Sequence, residues 1–307
     1  MRTGFVLTLV AMVLLVIFSL THWPMVDHMT LSAGWATGTH QKSCGRLCII
    51  RPQLSCKEPS ELPNHCAMTE RFIFWPLFFT SQLLALAWIS WVLLAQCHFA
   101  YPVGYRLLGL DQTIAQYAPH NRFKADFEFT TPPDHWRLFG QISDAVHAGG
   151  KGLAEITYPL KNGQPAALLH AAEIIHLQDV AHLIDVLYGV GMASLALWFV
   201  LIFILWQRHM PWPPVHQILR GFLVGFSVIA AAVFAIGPTA VFYWFHEQAF
   251  PAGHQWFFYY QDSLMTTLMK APDIFAFIAV LLLAVFTTLW CVALYGLPRL
   301  LKYRPGK

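Results

Sequence analysis

The sequence predicts an all-α polytopic membrane protein: four core transmembrane helices plus an extra N-terminal one, with an extracytoplasmic segment between spans. Three observations predict it. The chain of 307 residues is 57% hydrophobic and 11% charged, against roughly 25% charged in a soluble domain, and its mean hydropathy is +0.51. Its apolar residues gather into runs of about 20, the length that crosses ~30 Å of hydrocarbon as helix. Its Lys and Arg lie in the connections between those runs, not within them. A formal charge of +3 is too small for a phosphate-neutralising footprint, so a nucleic-acid partner is excluded, as are a cytosolic enzyme and a disordered chain.

The runs, in order, are Gly4–Leu20, Phe72–Ala95, Val186–Trp206, Gly221–Phe245 and Ile274–Gly296; none contains Asp, Glu, Lys or Arg. Helix is the state that satisfies their backbone in lipid. Gly237-Pro238 lies inside the fourth run and predicts a kink there. After the last run come Arg299, Lys302, Arg304 and Lys307, which predicts a cytoplasmic C-terminus. Counting back, Tyr243–Asp273 and Gln96–Asp185 are extracytoplasmic, and Gln207–Arg220 is cytoplasmic.

The chain divides at about residue 71 into an apolar helix with a Cys-rich loop (1–71) and a membrane domain (72–307). The loop holds Cys44, Cys48, Cys56 and Cys66. Their spacing fits no recognised zinc pattern; two disulfides, a metal or free thiols remain open, according to the compartment. Within Gln96–Asp185, prolines and glycines forbid a single helix. Phe127–Phe129 and Ile156–Tyr158 read as short extended pieces, Asp134–His147 as a helix, and Ala166–Asp185 as a second helix running into the third span.

Fifteen histidines accompany only 16 acidic residues, and they are patterned. His170, Glu173, His176, Asp179, His182 and Asp185 recur every third residue. Each step of three falls about 60° short of a full helical turn, so only neighbours in the ladder share a face. His176 and Asp179 form an (i, i+3) pair in which a carboxylate can fix an imidazole tautomer; Glu173 is placed to do the same from the other side. Three readings fit: a polar collar at a span mouth, a metal site built on Glu-x-x-His pairs, or acid–base chemistry. A second cluster follows the fourth run, where His246 and Glu247 precede a Pro251/Gly253 turn and the aromatic stretch Trp256–Tyr260, suited to headgroups or an acyl chain. No G-x-S-x-G elbow, H-E-x-x-H, P-loop or dinucleotide fingerprint occurs.

Glu173-Ile-Ile-His176-Leu-Gln-Asp179-Val180 resembles the E-x-x-H-[ML]-x-D-V signature of the lipoprotein intramolecular transacylase family of bacterial integral membrane proteins. Phe245-His246-x3-Phe250-Pro251-x-Gly253-x2-Trp256, with Asp262-x-Leu264 and Pro272, resembles the second signature of that family. Leu177 stands where Met is usual, Ala249 replaces the first of two Phe, and Lys270-Ala271-Pro272 replaces Leu-Phe-Pro. Residues 1–71 have no counterpart in the four-span family core.

The resemblance implies an enzyme of the bacterial inner membrane with its site on the extracytoplasmic face. It implies transfer of the sn-2 acyl chain of a diacylglyceryl-cysteine to the α-amino group of that cysteine, without metal or cofactor. The partners are then diacylglyceryl-modified lipoproteins and membrane phospholipid. On this reading His176, oriented by Asp179, and His246 share the acid–base work, with Glu173 in support. Tyr243 and Tyr188 are candidate oxyanion donors, and Trp256 a substrate contact. The rival readings are a metal-dependent membrane hydrolase using His170, Glu173, His176 and His246, a haem or metal carrier, and a lipid-binding structural protein.

Overall fold

The computed structural model describes residues 65–302, so the expectations for Gly4–Leu20 and for Cys44, Cys48 and Cys56 lie outside the described residues. Nine α-helices are found among them: α1 (His65–Ala95), α2 (Tyr101–Leu107), α3 (Leu110–Tyr117), α4 (Pro132–His147), α5 (Ala171–Arg208), α6 (Val215–Ile236), α7 (Pro238–Ala249), α8 (Leu264–Met269) and α9 (Asp273–Lys302). Four of these, α1, α5, α6 and α9, are long and apolar enough to cross a membrane.

The helices α1, α5 and α9 share an apolar core of Phe78, Ala85, Leu86, Trp198, Leu201, Leu205, Trp290 and Leu294. α6 sits at its edge, with 6% of its apolar stretch buried against 44% for α1, and Phe222 stacks on Trp290 at 4.7 Å. α1 and α5 approach closely because Gly191 has no side chain where the Trp88 indole lies.

The fourth apolar run is not one helix. α6 ends at Ile236, Gly237 adopts φ 95°, and α7 begins at Pro238. Pro238 has no N–H to give and its ring would strike the carbonyl four residues back, so the helix restarts instead of bending. The span therefore stops at Ile236, and His246 belongs to a separate helix.

Outside the spans a second core joins α2, α3, α4, α8 and the first turns of α5 through Tyr101, Leu110, Phe127, Leu138, Leu153, Leu168, Leu264 and Leu268. Tyr101 stacks on Phe139 at 3.9 Å and donates to the Leu268 carbonyl at 2.6 Å. α4 starts at Pro132, whose missing N–H costs nothing in a first turn. Thr131 N and Oγ1 donate to Asp134 Oδ2 at 3.0 and 2.6 Å, and these bonds hold the Asp134 carboxyl below its ordinary pKa.

Local expectations were met unevenly. Phe127–Phe129 is a 3₁₀ turn, not an extended piece. Thr157–Pro159 is a strand (β1), but it pairs antiparallel with Pro165–Ala167 (β2), Tyr158 opposite Ala166. That pairing consumes the residues expected to open the helix into the third span, so α5 begins at Ala171. At 38 residues α5 is roughly 57 Å long. It therefore outruns the hydrocarbon, and its ladder end stands among the packed outer elements.

Candidate active site

The site is assembled from the first three turns of α5, the last turn of α7 and the loop that follows α7. Glu173 anchors it. Fully buried, its carboxylate accepts from His170 N at 2.7 Å, closing the first turn of α5 as a capping residue does. It also accepts from Ser263 Oγ and from Met265 N at 3.3 Å. Ser263 in turn caps α8 by accepting from Thr266 N at 2.8 Å. Oε2 thus closes the first turn of α5, and Oε1 joins α5 to α8. Lys124, which donates to the carbonyls of Ala167 and Leu169 at 2.6 and 3.3 Å, supplies nearby positive charge. Burial lowers its pKa, and the Glu173 charge opposes that fall.

One turn along α5, the His176 ring meets Phe250 edge-on at 5.1 Å and Phe258 at 5.9 Å. Its Nδ1 is buried with no hydrogen-bond partner. His246, on α7, packs against the same Phe250 ring at 5.5 Å. Its Nδ1 donates to the Phe242 carbonyl at 2.8 Å, which leaves Nε2 as the acceptor in the neutral ring. Burial lowers the His246 pKa, partly offset by the bond to Phe242, so the ring is neutral near pH 7. Trp256 lies over His246 at 4.6 Å, and Tyr243 edges Trp256 at 5.3 Å. The two histidines expected from the sequence therefore share one phenylalanine. Each also meets a second aromatic ring of the following loop, Phe258 for His176 and Trp256 for His246.

Other expected residues are placed differently. Asp179 is expected to orient His176, but its Oδ2 accepts from His254 Nδ1 at 2.7 Å, and no hydrogen bond joins it to His176 among the described residues. Helical spacing permits the His176 pair; the loop delivers a competitor whose ring points straight at the carboxylate. Tyr188 lies three turns further along α5, about 18 Å by helix rise, packed against Trp88 at 5.9 Å and His147 at 6.2 Å. That position takes it away from the pair. No group of three His, Cys, Asp or Glu arranged to hold a metal ion occurs among the described residues, so the ligand set of the hydrolase reading is not gathered there.

Sequence reasoning passed over His254 and Ser263; Phe258 belongs to the aromatic stretch it singled out. Ser263 is a helix-capping type just before an apolar helix, a readable signal. His254 follows Gly253 in an irregular loop, and its partner is 75 positions away; no local pattern reveals that.

Geometrically, two imidazoles from separate helices face a common apolar ring, one with its tautomer fixed by a backbone carbonyl. Such a pair can accept and return protons around an ester without any nucleophilic side chain. No curated protein and no solved structure matches the chain. The segment that carries every site residue named above except Lys124, residues 160–271, matches the family described as lipoprotein intramolecular transacylase Lit.

Proposed function

We propose that this chain is a membrane acyltransferase acting on bacterial lipoproteins. It moves the sn-2 acyl chain of a diacylglyceryl-cysteine to the α-amino group of the same cysteine and leaves a lyso-form, N-acylated product. The observation that carries the reading is the shared packing of His176 and His246 on Phe250, inside the segment that matches a transacylase family.

The chemistry follows from the residues. An α-amino group has a pKa of about 7.7–8.0, so near neutral pH a base must take its proton before the nitrogen attacks the ester carbonyl. The tetrahedral oxyanion then needs a hydrogen-bond donor, and the departing glyceryl oxygen needs a proton. A neutral imidazole offers one donor and one acceptor; the His246 N–H is spent on the Phe242 carbonyl, so His176 is left to donate to the oxyanion, and His246 Nε2 relays a proton to the leaving oxygen. Amine and ester belong to one molecule, so the main task of the site is to hold a near-attack geometry, worth up to about 7–11 kcal/mol. Phe250, Trp256 and Phe258 line the imidazoles with apolar surface that suits an acyl chain and excludes water, which disfavours hydrolysis over transfer. The exposed Tyr243 hydroxyl is a further candidate donor beside Trp256.

The test is mass spectrometry of the N-terminal peptide of a co-expressed lipoprotein. The wild-type chain should shift one fatty acid from glycerol to nitrogen, and His176→Ala and His246→Ala should each abolish the shift while leaving the protein in the membrane. A wild-type sample without N-acylated peptide overturns the reading, and activity in either variant removes that histidine from it.

A further inference from the structure

Besides the expected pair, His170 and His254 border the site; His170 Nε2 lies 3.7 Å from Glu173 Oε2 without a hydrogen bond, and His254 is the one whose ring is hydrogen-bonded to a carboxylate. His254 Nδ1 donates to Asp179 Oδ2 at 2.7 Å. Because a carboxylate can only accept, Nδ1 carries the proton and Nε2 of the neutral ring is a free lone pair. The His254 side chain is 41% exposed while that of Asp179 is 12% exposed, so the ring is open to solvent while the carboxylate that holds it is covered. His246 differs, since its Nδ1 is bonded to a neutral carbonyl; His176 differs again, its Nδ1 being buried and unpartnered. A carboxylate partner stabilises the imidazolium formed when a ring takes up a proton, and a carbonyl does so less.

Resting on the acyl-transfer reading above, we infer that His254, oriented by Asp179, is the general base that removes the proton from the substrate α-ammonium. His176 and His246 are left to serve the oxyanion and the leaving oxygen. The proton balance is simple. His254 Nε2 takes one proton from the ammonium, the free amine attacks the ester carbonyl, and His246 Nε2 takes the second proton that the nitrogen sheds and passes it to the glyceryl oxygen as the C–O bond to glycerol breaks. The exposed His254 then returns its proton to water.

The surroundings fit that role. Asp179 is the charged group facing His254. On α5 it is flanked one turn to either side by His176 and His182, and on α7 the titratable groups nearest the loop are His246 and Glu247. Among the described residues, the Asp179 bond is the one side-chain hydrogen bond from the irregular stretch 251–257 to another element. The same bond therefore positions Trp256 over His246, and a pure positioning role has to be separated from a base role.

His254→Ala and His254→Gln do this in the lipoprotein assay. The glutamine retains an N–H for Asp179 but has no titratable nitrogen. As a base, His254 predicts a loss of about 10²-fold or more at pH 7 in both variants. It also predicts recovery of His254→Ala by added imidazole, or by raising the pH to about 9, where the amine is already free. A wild-type rate in either variant overturns the assignment, and so does a loss in His254→Ala that neither imidazole nor high pH restores. The wild-type chain run alongside separates the two readings: its failure to make lyso-form lipoprotein sinks the acyl-transfer proposal itself, whereas its success with an indifferent His254 sinks only this one.

Discussion

Ser263 donates its hydroxyl to Glu173 across 90 positions of sequence, and this buried contact, with Met265 N beside it, ties the start of α8 to the first turn of α5. Its significance is mechanical. His176 stands one helical turn beyond Glu173, so whatever fixes that first turn fixes the imidazole.

Replacing Glu173 with Ala should therefore be felt as stability and as activity together. It strands the buried His170 N, Met265 N and Ser263 hydroxyl, a loss of about 2–4 kcal/mol, and it removes the counter-charge of Lys124. Glu173→Gln, which keeps the shape and one acceptor, should cost less. Thermal unfolding in detergent, read beside lyso-lipoprotein yield, checks the order wild type, Gln, Ala.

The outer core carries a pH signature of its own. His135 is buried, with Tyr105 OH at 2.9 Å from Nδ1 and Thr130 Oγ1 at 2.8 Å from Nε2. Thr130 spends its proton on the Phe127 carbonyl at 2.6 Å, so it accepts from Nε2 and the ring is neutral. Burial holds the His135 pKa at about 4, below its unfolded value of about 6.5. The unfolded chain then binds the proton more readily. The stabilisation is complete above about pH 6.5 and is lost as pH falls towards 4, by on the order of 3 kcal/mol at most. Tm measured from pH 8 down to 4 should show this decline, and His135→Phe should flatten it.

Helix packing inside the membrane core gives a third expectation. A methyl group on Gly191 would overlap the Trp88 ring, whereas one on Gly189 meets nothing within 4 Å. Gly191→Ala should lower Tm by forcing α1 and α5 apart, at a cost of about 1–3 kcal/mol, while Gly189→Ala should leave it within experimental error. Equal effects of the two would contradict the close approach.

The division between what was readable and what was not follows physical range. Four spans were legible because lipid leaves the backbone one local solution, and a run without charge states it outright. The restart at Pro238 was legible as a disturbance, though not as two helices, because the extent of a break depends on what the second helix packs against. α2 and α3 went unread. They are one or two turns long and are entered through left-handed residues, Ala100 at φ 52° and Gly109 at φ 62°, which tertiary burial of Tyr101, Tyr105 and Leu110 sustains. In the site, His176 and His246 were legible by type and position. The partner of Asp179 was not: two histidines compete for one carboxylate, and the winner is decided by how a distant loop lies.

The interruption between Ile236 and Pro238 has a consequence for how the protein tolerates change. An α-helix advances about 100° per residue, so a residue added to an unbroken rod would swing everything beyond it around the axis. Here the joint at Gly237 absorbs that rotation. The membrane-embedded rod is free to vary in length or phase with the bilayer, while the azimuth of the imidazole at position 246 is set by the short helix that starts after the joint. Reach across the bilayer and the aim of the imidazole ring are thereby two separate settings.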